Sequence, residues 1–579
     1  MTKISAKWII LLGLLGSILI GIFFAGSLFD RAASKTVAMA VNSINSKKEL
    51  IVSIDDVNLS LTKGSISIKR INFEPDSVYY EKFKSGSIPK RLLSAMHISE
   101  IELMGLSMNS LFWDGRMDSV KISVKDVITN IYLREQNEKS AAVSQKPSSG
   151  VLDSLQLKGL KSITLGAIQV NNYQINLLNA ETKDTISAIL GDHTELNGLK
   201  LNKRQDGSDL FDLQTENLAI NFKEQRLRLP KNEFEITLGS LDFNNSEQNL
   251  KLVDFAYLPI KSLEYVASKR KYADNLGDIS FKYLTVDGLS INSYLENHFA
   301  SAKKVNIDGL HANLLKNKQK PENTHKRPLL PQQLLKKLKV PIHIGEIAIN
   351  NSSLTYKGIQ PKNAKDIVVV HLTDLSVRVK HITSITDSLA SGTPLTVALT
   401  SKILGNPTID FSLTMPYNRH DDAFTYKGTV GSARLDLFNP ILLPAAHVSI
   451  ERGHMEGMTF FVNATPNHST GVLTMRYSDL HVDIPLKHKL TEHTLSFLAS
   501  SAIHKFNPKK NGKLRVAEID YDRIPYKGIG GYVVKSILEG VTNTISPFGH
   551  QDEQTKSNAK KKKTIEVKIK KTKKRHKTS

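Results

Sequence analysis

The sequence predicts a mainly β protein. An N-terminal transmembrane helix is followed by an elongated, curved antiparallel β-sheet with short helical insertions, and a C-terminal amphipathic helix closes the ordered part. Three observations predict this: one uncharged run at the N-terminus, apolar–polar alternation through most of the remaining chain, and segments that recur about 180 residues apart.

The run from Trp8 to Phe29 has 22 residues and no charge. At about 1.5 Å per residue it spans a hydrocarbon core of about 30 Å. Lys3 and Lys7 precede it, which favours a cytoplasmic N-terminus. A cleaved signal peptide is the alternative, with Ala25, Gly26 and Ser27 as small residues for cleavage, but the run exceeds the usual ~7–15 residues. The expectation is a single-pass membrane protein with the bulk of the chain on one side.

Alternation begins with Val57, Leu59 and Leu61, then Ile66 and Ile68, then Ile71 and Phe73. Period two gives a sheet one apolar and one wet face. It recurs at Phe234, Ile236 and Leu238, at Leu250 and Leu252, and from Val472 to Met475. Self-similarity is visible as well. MGLSMNS (104–110) returns as DGLSINS (287–293), 183 residues on, and Leu165 to Asn172 is answered by Ile344 to Asn351, 179 on. The spacing Ile66, Ile68, Ile71, Phe73, Pro75 returns at Leu250, Leu252, Phe255, Tyr257, Pro259, 184 on. The expected organisation is therefore an anchor (1–30), a first repeat unit (31–230), a second (231–385), a C-terminal β-region with a helix at 529–545 (386–548), and a Lys-rich tail (549–579). Segments 76–97 and 260–276 are expected as charged or helical insertions. The polar stretches Asn137 to Gly150 and Lys316 to Pro331 are expected as solvated spacers. About 30 strands at ~4.8 Å spacing would reach about 140 Å at most, so crossing an envelope would need a partner.

Ile529, Val533, Ile537, Val541 and Ile545 recur every four residues, the mark of an amphipathic helix. It is expected either to cap one end of the sheet or to lie at a membrane interface, with Lys527, Tyr532 and Lys535 as interface residues. From Lys556 the tail carries 12 Lys/Arg and one acid, half of the net charge of +22. It reads as disordered, with anionic lipid heads as the alternative to no partner; no nucleic acid is expected.

Chemistry is sparse. There is no Cys, which excludes disulfides, thiolate metal sites and a cysteine nucleophile. None of the 18 His lies in a His-Glu-x-x-His motif, and no Gly-x-Ser-x-Gly or phosphate-binding loop occurs. Asp55 and Asp56 sit on opposite sides of a strand, wrong for shared acid–base work. The expectation is no enzyme, no cofactor and no metal.

A sheet with one apolar face must cover it. Periodicity leaves two solutions open, a dry sandwich core or a trough that holds acyl chains. Candidate groove residues are Val57, Leu59, Leu61, Ile66, Ile68, Ile101, Leu103, Ile168, Val170, Leu284, Val286, Ile347 and Ile349.

The N-terminal span, the run from Val57 to Phe73, the repeated Ile-x-hydrophobic-x-Gly units and the stretch from Phe438 to Ile484 together resemble AsmA-type envelope proteins of Gram-negative bacteria. Ile450-Glu451-x-Gly453-x-Met455-x-Gly457 and Gly471-Val472-Leu473-Thr474-Met475-x-Tyr477-x-Asp479-Leu480 are the more specific parts, followed by Phe506-Asn507-Pro508 and Tyr521-Asp522-Arg523-x-Pro525. The resemblance covers roughly residues 1–548, as dispersed patterns. The large members are much longer, and the Lys-rich tail is outside the pattern. It implies an anchor in the inner (cytoplasmic) membrane, a repeating β-groove on the periplasmic side, lipid partners (phospholipid or lipopolysaccharide), movement of lipid towards the outer membrane, and an outer-membrane or periplasmic partner protein. Two other readings remain: an envelope scaffold that modulates outer-membrane protein or lipopolysaccharide assembly, and an envelope hydrolase.

Overall fold

The computed structural model describes residues 41–546 apart from 61–63, 135–160, 204–210, 484–502 and several stretches of a few residues. The anchor at 8–29, the first polar stretch at 137–150, Leu61, Pro547 and the Lys-rich tail lie outside the described residues. Among the described residues no helix is long and apolar enough to cross a membrane.

The chain forms two compact units. The first holds the described residues up to Lys261 and Ser280–Asn297; the second holds Ser262–Ile279 and the described residues from His298 on. The division falls inside the second expected repeat. The strands are β1 (Leu50–Ser60), β2 (Ser65–Pro75), β3 (Leu92–Met104), β4 (Arg116–Leu133), β5 (Ser162–Asn179), β6 (Thr185–Lys203), β7 (Phe211–Gln214), β8 (Ala219–Arg228), β9 (Phe234–Asn244) and β10 (Asn249–Pro259). There follow β11 (Asn275–Asp287), β12 (Ala300–Asp308), β13 (His311–Asn317), β14 (Ile342–Ile359), β15 (Ile367–Thr383), β16 (Leu395–Ile403), β17 (Thr408–Met415), β18 (Phe424–Val430), β19 (Ala433–Arg434), β20 (Ser449–Ala464), β21 (His468–Asp483) and β22 (Ala517–Asp522). The helices are α1 (Ser77–Lys84), α2 (Leu263–Lys269), α3 (Pro331–Lys336), α4 (Asn439–Ala446) and α5 (Ile529–Ile545).

The sheet is mixed, which corrects the antiparallel expectation. β4 pairs with β5 in parallel, and β12 and β13 pair with β14 in parallel. A parallel pair needs a crossover of a dozen or more residues. The two polar stretches occupy these connections. The second is solvated in its middle, where Thr324 to Arg327 are exposed, but Lys316 is buried and Leu330 shows no exposed surface.

The spacing Ile66, Ile68, Ile71, Phe73 has a structural cause. In β1–β2 every pair from Leu50 with Pro75 to Ser60 with Ser65 is made except Asp55 with Arg70. In β9–β10 the pairs run from Phe234 with Pro259, and Gly239 with Asp254 is left out. Both hairpins thus share one register at an offset of 184 residues. Arg70 and Asp254 have φ of 48° and 52°. The same break occurs at Asp126, Asn172 and Glu224, also at positive φ. Both partners skip one residue, so the register survives while the strands turn a corner together. Beyond the corner the apolar face resumes three residues on, not two. Among residues with a side chain, Asp and Asn accept this left-handed backbone most readily.

Each strand that ends at Pro75 or Pro259 passes into a short helix. Asp76 accepts from the Val78 and Tyr79 amides at 3.0 and 3.1 Å, and Ser262 from the Tyr265 amide at 3.1 Å. These caps satisfy amides the helix leaves unpaired. α1 packs Phe83 against Leu93 and Ala180, and Arg134 donates to the Phe83 carbonyl at 2.7 Å.

Candidate functional site

The registers align residues in rows across the strands, nearly all of them apolar. In the first unit one row holds Val57, Ile68, Ile101, Val124 and Val170 on β1–β5. It continues through Thr194, Phe222, Leu241 and Leu252 on β6, β8, β9 and β10. The neighbouring row holds Leu59, Ile66, Leu103, Ile122 and Ile168, then Leu196, Ile220, Phe243 and Leu250. Eight of the thirteen candidates therefore share one face. Six of them (Ile66, Ile68, Ile101, Leu103, Ile168 and Val170) are at most 4% exposed and belong to one packed core, with Val57 partly buried against it. They are core residues rather than lining of an open groove. From β8 to β10 both rows are partly exposed, Phe243 excepted. Leu284 and Val286 on β11 are also partly exposed.

Between the sealed and open stretches lies a polar inset. The Tyr173 hydroxyl meets Thr194 Oγ1 at 2.7 Å and donates to Gln225 Oε1. Burial pushes the Tyr173 phenol up, against the hydrogen bonds from its partners. Gly191 is required beside it: a Cβ there would stand 2.4 Å from Tyr173 Cζ.

The second unit repeats the arrangement. One row runs through Val305, Ile347, Val379, Val397 and Leu413 to Tyr426, Val462, Gly471 and Ile519. The other runs through Ile307, Ile349, Val377, Leu399 and Phe411 to Gly428, Phe460, Leu473 and Ala517. Each crosses nine strands without a charged residue. The candidates Ile347 and Ile349 are on these rows. The residues beyond them were legible as Val377-x-Val379, Val397-x-Leu399 and Phe411-x-Leu413 but were missed.

Exposure changes along the rows. Val305, Ile307, Ile347, Ile349, Val377, Val379, Val397, Leu399 and Phe411 are all partly exposed. Tyr426, Val462, Leu473 and Ile519 are at most 2% exposed. The cover is α5. Tyr532 and Val533 point into the core, Ser536 meets the Tyr426 hydroxyl, and Gly540 lets the helix approach so closely that a Cβ would stand 2.9 Å from both Ile519 Cγ1 and Leu473 Cβ. Tyr532 is thus no membrane-interface residue: it is 1% exposed, donates to the Thr465 carbonyl at 3.2 Å, and its phenol is pushed up by burial. Lys535 is exposed on the outer side with Val534 and Leu538. Lys527 is held by Glu322 at 2.5 Å.

The opposite face of the same strands is polar. Glu346 meets Arg378 at 3.0 Å, Lys380 at 3.7 Å and Lys304 at 3.9 Å. A depression of about 580 Å³ lies over β15–β20, and its charged lining is Arg378, Asp410 and Lys427. Its surface is nonetheless more apolar than polar, because Ala398, Leu399, Phe411, Phe460 and Phe461 also line it.

Lys316 interrupts the apolar face of the second unit. Its register partners are Gly358 and, through β15, Val368, next to Leu314, Tyr356 and Val370. Burial pushes its ammonium down, although Glu322 at 2.8 Å opposes this. Burial would raise the Glu322 carboxyl, but the Lys316 and Lys527 hydrogen bonds outweigh it and hold the group below its ordinary value. No sequence pattern singled out this cluster, because Lys316 stands at the start of a charged stretch. Among the described residues no group of three His, Asp or Glu could hold a metal ion.

No protein-family model matches the chain, and no curated protein matches its sequence.

Proposed function

We propose that the protein is an envelope protein, anchored in the inner membrane by residues 8–29, whose apolar β-face on the periplasmic side binds and carries lipid towards the outer membrane. The observation that supports this reading is the stretch of uncharged rows from Val305 to Phe411 in the second unit, which keeps part of its apolar surface in water although Ile347, Val379, Val397 and Phe411 also pack against the core. Apolar surface left in water costs about 25 cal/mol per Å², so nine such residues in contiguous rows call for an apolar occupant. Acyl chains need that surface and no catalytic group.

The test is mass spectrometry of lipid extracted from the purified full-length chain, with Val397→Asp and Leu399→Asp as variants. Stoichiometric lipid in the natural chain and its loss in a folded double variant are expected. Lipid retained by that variant would remove the assignment. A second reading is favoured by a different observation, the sealed core around Ile68, Ile101 and Val124. There the rows serve as a dry framework, as an envelope scaffold would use them, and no lipid would be recovered from either protein.

A further inference from the structure

We propose that Lys316 and Lys527, gathered around Glu322, hold the anionic head of an amphiphile whose chain lies on the open apolar rows of the second unit. This rests on the reading of those rows as a chain-binding surface, and adds which class of lipid they select.

The repeat shows that the cluster is an addition. In the first unit the position equivalent to Lys316 is Leu133, 183 residues earlier, paired with Asn179 as Lys316 is with Gly358. Leu133 packs against the apolar core. The second unit places at this point an ammonium whose side chain is only 11% exposed. A latch would need one cation and one carboxylate. Here Glu322 is shared by Lys316 at 2.8 Å and Lys527 at 2.5 Å. Two cations against one carboxylate leave one positive charge in excess, on ammonium groups whose side chains are mostly buried. A phosphate or carboxylate head would neutralise that excess with charge-assisted hydrogen bonds. Leu314 and Tyr356 neighbour Lys316 on the same face and lead toward Ile307 and Ile349. Head and chain are therefore offered one continuous surface.

The experiment is equilibrium binding to the full-length, delipidated protein. The ligands are hexadecyl phosphate and hexadecanol, which share one chain, with inorganic phosphate as competitor. The natural protein should bind hexadecyl phosphate about tenfold more tightly than hexadecanol. Lys527→Met should abolish that preference with hexadecanol binding unchanged, Lys527→Arg should keep it, and Glu322→Gln should strengthen it by removing the competing carboxylate. A purely structural latch predicts no gain from Glu322→Gln, so this variant decides the matter if Lys527→Met fails to fold. Equal binding of the two ligands by the natural protein would overturn the head-group site and leave the apolar surface standing. Binding of neither would remove both. Competition by inorganic phosphate as strong as that of hexadecyl phosphate would make this a free-anion site and overturn the assignment to an amphiphile.

Discussion

The two units carry the same apolar rows and seal opposite parts of them. In the first unit the rows are buried over β2–β5 and loosen toward β10. In the second they are loose from β12 to β16, one row closes at Leu413 on β17, and both are sealed toward β22, where α5 lies over them. The strand patterns do not differ in kind: Ile68 and Leu399 both sit in plain alternation. Cover is what differs, and it comes from elements distant in sequence.

The sharpest way to break this comparison is to place the same charge at a sealed and an open position. Ile101→Asp puts a carboxylate at a site with no exposed surface, and should cost more than about 4 kcal/mol, in effect unfolding the first unit. Leu399→Asp should cost about 1 kcal/mol or less, because water still reaches it. Urea denaturation of the two variants measures both, and similar losses would mean that the open rows are not open.

Alkaline pH probes the sealed end next. Burial pushes the Tyr477 phenol up to about 12, and its hydroxyl donates to the His504 carbonyl at 2.8 Å. Its folded value lies above the ordinary 10, so folding favours the protonated phenol. The associated stability is complete below pH 10 and is lost as the pH rises from 10 to 12, by on the order of 2 kcal/mol. Tyr477→Phe should flatten that part of the melting-temperature profile. A profile as steep as that of the natural protein would assign the loss to other groups.

Smaller effects sharpen the role of α5. Gly540→Ala improves helix propensity by about 1 kcal/mol, yet its Cβ would meet Leu473 and Ile519 at 2.9 Å. Overpacking of this kind costs about 1–3 kcal/mol and should win. The expected result is a net loss of stability with greater exposure of the rows beneath, read by binding of an apolar dye; a gain in melting temperature would show that the helix sits further off. Tyr426→Phe is the mildest change. It removes a hydroxyl from Ser536, but Ser536 still donates to the Val533 carbonyl at 2.8 Å, so the cost should be about 1 kcal/mol by denaturant titration.

Much of this was legible beforehand. The helix over 529–545 was readable from its four-residue spacing, since an amphipathic face needs only local periodicity. The repeat was readable too, and the double gap in Ile68-x-x-Ile71 carried the corner in plain sight. The parallel pairs were not, because alternation reports a face and says nothing of the direction in which a neighbouring strand runs. Lys316 was hidden for the same kind of reason: in sequence it opens a polar stretch, while in space it stands in the row of Leu314.

What the sequence alone determined is therefore the set of residues that share a face, because side-chain direction along a strand is a local property of the backbone. Which of those faces are sealed and which stay open was decided by the tertiary structure. Cover depends on contacts across long loops, such as that of Gly540 with Leu473 and of Glu322 with Lys527, and neither segment signals its partner.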